Sequence, residues 1–168
     1  MVVVPLLWPS VAFAAISERD VLFLTRALSF METPKTDMLR LVVVYDPDDA
    51  DSKQEADQFA AVIGDKGLKV ARIQIDLSLL SIDDVEKLDG ADVLVITSGL
   101  KQYQSSLAKL SEQKGAFTIS GDLSCVEVGD CVLGLQSQPS VRILLNSEAA
   151  SRAGVAFEPA FRMMVTEL

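Results

Sequence analysis

The sequence predicts an α/β protein: a single three-layer α/β/α domain on a mostly parallel sheet, with an antiparallel hairpin near the C-terminus. Three observations carry this expectation. Short valine-rich runs alternate with segments whose apolar residues recur at three, four and seven positions, a pattern that right-handed crossovers turn into a parallel sheet covered by helices. The run 39–45 is apolar but for Arg40, as a strand buried on both faces must be. Two further strands near the C-terminus are separated by only four residues, close enough for a hairpin. A chain of 168 residues, 49% hydrophobic and 23% charged, suits one domain with a continuous core.

The first fifteen residues, MVVVPLLWPSVAFAA, are uncharged and end in Ala12-Phe13-Ala14, the small-x-small pattern of signal-peptidase cleavage. Residues 1–14 therefore read as a signal peptide, with Ala15 the first residue of a domain over 15–168. No Lys or Arg precedes the apolar run, which leaves open a longer leader or a buried strand or helix. Pro5 and Pro9 interrupt the run, and about 20 apolar residues are needed to span a bilayer, so stable membrane insertion is not expected.

Ser17 is placed to cap a helix over 18–31, with Asp20 as the reciprocal acceptor and Val21, Leu24 and Leu28 on one stripe. Thr33-Pro34 ends it. Leu39 to Tyr45 is the first strand, and Asp46-Pro47-Asp48-Asp49 a turn. Ser52 and Glu55 have capping-box spacing for the next helix, in which Ala56, Phe59, Ala60 and Ile63 form the buried face before Gly64. Leu68 to Ile75 is the second strand and Ser81 to Leu88 a short helix. Ala91 to Ile96 is the third strand. Leu100, Tyr103, Leu107 and Leu110 mark another helix closing near Gly115, and Ala116 to Ile119 the fourth strand. Past Gly121, Val132 to Gln136 and Val141 to Leu145 form the hairpin. A helix over 147–153 ends at Gly154, and a last one is expected over 159–167.

The formal net charge of −9 disfavours nucleic acid and anionic lipid as partners. The chain has no histidine, which removes histidine-based acid/base catalysis, histidine-containing triads and histidine-liganded metal sites. Gly-x-Ser-x-Gly and the glycine-rich phosphate loops are absent as well, and neither an enzyme nor a cofactor is expected.

Four groups remain as candidate sites. Cys125 and Cys131 enclose a short loop; in an oxidising compartment they are expected to form a disulfide worth about 2 kcal/mol by loop entropy. Five intervening residues are too many for the usual redox-active pair. The acidic run Asp46, Asp48, Asp49 and Asp51 follows the first strand, where open α/β sheets place ligands. It lacks the regular ligand spacing and central glycine of a calcium loop, so a solvated turn is the expected reading. Thr97-Ser98-Gly99 opens a helix whose amides are able to hold an anion, although a capping turn is the simpler reading. The C-terminal segment 157–165 offers Phe157 and Phe161, with Arg152 and Arg162, as candidate partner-binding residues, although core packing against the sheet is the more common fate of such apolar groups.

The C-terminal residues also resemble a known family. Val132-Leu133-Gly134-Leu135, Val141-Arg142-Ile143-Leu144-Leu145-Asn146, Ala149-Ala150, Ala153-Gly154-Val155-Ala156-Phe157 and Phe161-Arg162-Met163 look like the C-terminal signature of the YfiR/HmsC-like family, and Phe30-Met31-Glu32-Thr33-Pro34 fits its N-terminal layout. The chain departs in having only one cysteine pair and no tryptophan before the proline of the N-terminal helix. The resemblance implies a small periplasmic α/β protein without catalysis, stabilised by disulfides, of which Cys125–Cys131 matches the one nearest the C-terminus. It further implies repression of an inner-membrane diguanylate cyclase through its periplasmic domain, restraining cyclic di-GMP and biofilm exopolysaccharide. The second expectation is a small-molecule-binding relative of solute-binding proteins, which hold ligands between two α/β lobes. At one lobe, that reading requires a homodimer.

Overall fold

Residues 16–32 and 37–168 are described by a computed structural model; the expected signal peptide, 1–14, lies outside the described residues. Helix α1 (Glu18–Leu28) starts as its sequence predicts. Ser17 Oγ accepts the Asp20 amide, the Asp20 carboxylate accepts the Ser17 amide at 2.9 Å, and Val21, Leu24 and Leu28 are buried. Strand β1 (Met38–Tyr45) and helix α2 (Ala50–Ile63) follow. The cap of α2 differs from the expected one. Asp49, not Ser52, is the N-cap, accepting the Ser52 amide at 2.8 Å, which places Ser52 and Glu55 inside the helix.

The expected second strand is two. Strand β2 (Leu68–Val70) turns at Ala71, φ +50°, into β3 (Ile73–Ser81), and the two pair antiparallel. The short helix after β3 is a 3₁₀ turn, Ile82–Lys87, capped by Ser81. Strand β4 (Val93–Ile96) leads into a 3₁₀ segment, Ser98–Tyr103, and then α3 (Gln104–Lys114). Strand β5 (Phe117–Ser120) precedes α4 (Leu123–Glu127), which the sequence reading missed; five residues are too few to show a helical period. Strands β6 (Leu133–Gln136) and β7 (Arg142–Leu145) form the expected hairpin, with Gln138–Pro139 cis in its turn. Helix α5 (Ser147–Ala153) ends at Gly154 as expected. The last helix is shorter than expected: α6 (Pro159–Arg162) stops after one turn, and β8 (Thr166–Glu167) pairs parallel with β7.

The eight strands form one sheet in the order β2-β3-β1-β4-β5-β6-β7-β8, parallel from β3 through β6. Side chains alternate across it. Leu41, Val43, Val93, Val95 and Ile119 face α1, α2 and α5, with Phe59 at the centre, while Val42, Val44, Leu94 and Ile96 face the 3₁₀ turns, α3 and α4. Both faces of β1 are covered, which explains its unbroken valine run. The helices after adjacent strands β1 and β4 lie on opposite faces, α2 on one and α3 on the other. A crevice therefore opens between the C-terminal ends of β1 and β4, the topological switch point at which open α/β sheets take ligands.

Helix α4 lies so close to β6 that a Cβ on Gly134 would fall 2.7 Å from Val126 Cγ2 and 3.0 Å from Leu123 Cδ2. Gly134→Ala is expected to destabilise the fold by about 1–3 kcal/mol through overpacking, read as a lower urea midpoint at unchanged slope. An unchanged midpoint would show that α4 gives way freely.

Candidate functional site

The switch-point crevice is built from residues that close it. Thr97 Oγ1 donates to Val44 O at 3.1 Å, tying β4 back to β1. Ser52 Oγ lies 2.6 Å from Thr97 Oγ1 and accepts the Asp46 amide at 2.8 Å. With the Thr97 proton committed to Val44, the Ser52 hydroxyl donates to Thr97. Glu55, one turn further along α2, is fully buried and takes Ser98 in both hands: the Ser98 amide donates to Oε2 at 3.0 Å and the Ser98 hydroxyl to Oε1 at 2.6 Å. Gly99 leaves room for this closure, because a Cβ there would sit 2.8 Å from Ser52 Cβ and 2.9 Å from Asp49 Cγ.

Thr97-Ser98-Gly99 thus opens a 3₁₀ turn with Thr97 at its N-cap, the capping turn expected, and the Ser98 groups meet the protein's own Glu55 carboxyl. Burial pushes the Glu55 carboxyl above its ordinary value, opposed by the bonds from Ser98 and from the Ile16 amide. The Ser98 hydroxyl does have a carboxylate beside it, which the sequence did not reveal. The same carboxylate also holds the Ser98 amide, so the pair forms a two-pronged clamp between helix and turn.

The rim outside the clamp is a depression of about 200 Å³ lined by Asp49, Asp51, Ser98, Gly99, Lys101 and Asp122. That is smaller than the roughly 300–1,000 Å³ of drug-sized ligand pockets. The acidic run contributes turn chemistry: Asp46 Oδ1 accepts the Asp48 amide at 2.9 Å and Asp49 caps α2. Among the described residues, no group of three or more Asp, Glu, Cys or His is placed to hold a metal ion. Asp122 is desolvated, but bonds from Ser124 and Gln104 and the Lys101 ammonium at 3.5 Å outweigh that, holding its carboxyl below the ordinary range. A second depression, of about 370 Å³, has mixed-charge walls including Arg40, Lys66, Asp65, Asp76 and Asp89.

Cys125 and Cys131 form the expected disulfide, fully buried, but Cys125 lies on α4 and not in an open loop. Its carbonyl accepts the amides of both Asp130 and Cys131. Neighbouring elements grip the closed segment: Thr118 Oγ1 donates to Asp130 O, Asn146 Nδ2 to Val126 O, and Arg152 Nη2 to Gly129 O at 2.7 Å.

Of the two readings of the C-terminal segment, the two phenylalanines take core packing. Phe157 and Phe161 are each 3% exposed. Phe161 stacks on Phe30 at 5.6 Å and Phe157 meets Phe117 edge-on at 6.2 Å, so both belong to the core that anchors the tail. Arg152 is engaged by Glu112, Glu148 and the Gly129 carbonyl, and Arg162 by Glu167. The exposed large apolar groups of the tail are Met163, Met164 and Leu168, on either side of β8. No helix among the described residues is long and apolar enough to cross a membrane.

No protein-family model matches the chain, and no curated protein matches it in sequence. Solved structures do resemble it. A conserved domain protein from Vibrio cholerae O1 biovar El Tor has a TM-score of 0.63 at 16% identity, over 89% of this chain and 59% of that one. An ABC domain in complex with L-Trp from Streptococcus pneumonia has a TM-score of 0.64 at 8% identity, over 89% and 60%. A substrate binding protein with adhesive properties from Clostridium difficile, in its ligand-free, open structure, has a TM-score of 0.63 at 12% identity, over 91% and 60%. At these identities the likeness is one of fold. The chain spans about three fifths of the length of each.

Glu55→Ala is expected to cost about 1–3 kcal/mol, since the half-buried Ser98 amide and hydroxyl lose their acceptor, whereas Glu55→Gln keeps an acceptor and costs less than half as much; urea denaturation reads both. Equal losses would mean that Glu55 acts only by its bulk. For Asp122, the lowered folded value means that its contribution is present above the ordinary carboxylate range and is lost as pH falls through the folded value. Asp122→Asn therefore narrows the stability difference between pH 5 and pH 2, and melting curves at the two pH values measure it.

Proposed function

We propose that the protein is a non-enzymatic regulatory protein of the bacterial periplasm that represses an inner-membrane sensor of the diguanylate cyclase type by direct contact, tuning cyclic di-GMP and exopolysaccharide output. The observation that carries this reading is the Glu55–Ser98 clamp. The crevice where an open α/β sheet takes a small ligand is filled by the protein's own carboxylate, which leaves the outer surface as the place of recognition. The C-terminal resemblance supplies the class of partner, and a buried disulfide suits an oxidising compartment. Binding acts by population shift: the bound protein holds the sensor's periplasmic domain in its inactive state, and loss of the complex releases it.

A second reading, periplasmic small-molecule binding, is favoured by the fold neighbours, one in complex with L-Trp and one a substrate binding protein. On that reading the mixed-charge depression beside Arg40 is the place for the ligand, and a second copy completes the cleft.

Loss of the protein from cells that carry it is expected to raise cyclic di-GMP several-fold, with restoration by the wild-type chain; an unchanged level contradicts the first reading. A thermal-shift screen of free amino acids and small solutes separates the two. The first reading expects shifts under about 1 °C, and the second a saturable shift of several degrees at ligand concentrations far above Kd.

A further inference from the structure

Strand β3 outruns the strand that flanks it. Residues 74–81 pair with β1, whereas β2 pairs only with Ile73, Gln74 and Ile75. The ladder fixes which groups this leaves open. In a parallel pair the amide and carbonyl of one residue point to the same side, and the side alternates along the strand. The Gln74 amide donates to Asp37 O, on the β1 side. Gln74, Asp76, Ser78 and Leu80 therefore face β1, and Ile73, Ile75, Leu77, Leu79 and Ser81 face away. Ile73 and Ile75 meet Val70 and Leu68 of β2. No strand among the described residues meets Leu77 or Leu79. The open stretch, Leu77-Ser78-Leu79-Leu80-Ser81, has no charge, no proline and no bulge, the devices that protect an edge from pairing, and the Leu79 side chain is exposed. The opposite edge of the sheet is blunt: β8 has two residues, and Arg162 engages its Glu167.

We propose that this edge pairs with the same edge of a second copy, antiparallel about a two-fold axis at Leu79, so that two eight-stranded sheets become one. Charge selects the occupant and its direction. Past the C-terminal end of β3, the 3₁₀ turn carries exposed Asp83, Asp84 and Glu86, with Lys87 bonded to Asp84. Beside the N-terminal end, β2 and the turn before it carry exposed Lys66 and Lys69 with Asp65, and Asp76 stands opposite Arg40. Ile82 and Val85 of the 3₁₀ turn pack on the face of Val42, the face that Lys69 shares through its pairing with Gln74. An edge acidic at one end and lysine-bearing at the other is complementary to itself reversed, and a two-fold axis normal to the sheet keeps like faces together. Outward residues must meet outward residues, which fixes the register. A centre at Ser78 or earlier drives Ser81 of the second copy against Leu68, which already occupies the place beside Ile75. A centre at Leu80 brings only Leu79 and Ser81 together. At Leu79, the two copies of that residue exchange both main-chain bonds and Leu77 lies opposite Ser81 on either side. The pairing rests on neither reading of function, and it sets the second copy beside the depression that Arg40, Asp76 and Ser78 help to line.

The test is sedimentation and amide hydrogen exchange of the full chain over about 1–100 µM, the range expected of a small interface. The sedimenting mass is expected to double across that range. The Leu77 and Leu79 amides are expected to exchange several-fold more slowly at its upper end, while the Ser78 amide, which faces β1, is unchanged. Asp83→Lys, at an exposed position, is expected to raise the dimer Kd about tenfold, and Lys69→Glu on the same chain to restore it. The concentration series needs no variant, so it decides the matter even where a variant fails to fold. A monomer at every concentration overturns the proposal, as does a dimer whose Leu77 and Leu79 amides exchange as fast as the monomer's. A dimer that Asp83→Lys leaves intact overturns the antiparallel direction. Protection of those two amides already present in the monomer shows the edge covered within one chain. Protection conferred only by an added alternating Val-Thr peptide gives the edge to a foreign strand. Either result contradicts self-pairing.

Discussion

The clamp between Glu55 and Ser98 is the contact on which the arrangement of this molecule turns. In an open α/β sheet the switch point is left unfilled by the topology, because the helices after β1 and β4 depart to opposite faces. Here that gap is closed by a side chain from α2 that reaches the first turn after β4 with both oxygens. The closure welds the two helical layers at the C-terminal end of the sheet, where they would otherwise touch least. Ser52, Thr97 and Val44 extend the same seam with a chain of hydrogen bonds in which each proton has a single consistent donor. Burying a carboxylate in this way is tolerable only because every oxygen finds a donor; the raised Glu55 carboxyl reports the remaining cost.

Much of the fold was legible in the sequence because the signals were periodic. The valine run of β1, the stripe of α2 and the two strands of the hairpin each carry enough residues to show a period. What was missed was short or non-local. Strand β2 has three residues and is severed from β3 by Ala71 at positive φ, which no propensity announces. Helix α4 is five residues long and is defined by the disulfide and by its packing on Gly134. The tail's last strand forms only because β7 offers an open edge.

The site was half legible. Thr97-Ser98-Gly99 and the acidic turn are recognisable in the sequence as loops at the C-terminal ends of strands, but spacing alone makes Glu55 one half of a capping box. Its partner is 43 residues away, and a single sequence has no means of pairing them. A signal was nonetheless present. Ser52, Glu55, Ala56, Phe59 and Ile63 share one helical stripe, and a glutamate on the apolar stripe of a helix must find buried donors. For Phe157 and Phe161 the residues left docking face and core packing both open, and the contacts that decide for the core, with Phe30 stacked on Phe161 and Phe117 edge-on to Phe157, are again distant in sequence.

These placements join structure to the proposed function. A molecule whose crevice is sealed from within, and whose aromatic tail is folded into its core, meets other molecules with its outer surface. That depends on the seal being permanent, and native-state amide hydrogen exchange measures its permanence at one atom. With the seal permanent, the Ser98 amide exchanges only with global unfolding, as slowly as the amides of β1 and β4. Exchange of that amide at the rate of a solvent-exposed loop, in a protein whose central strands stay protected, would contradict it.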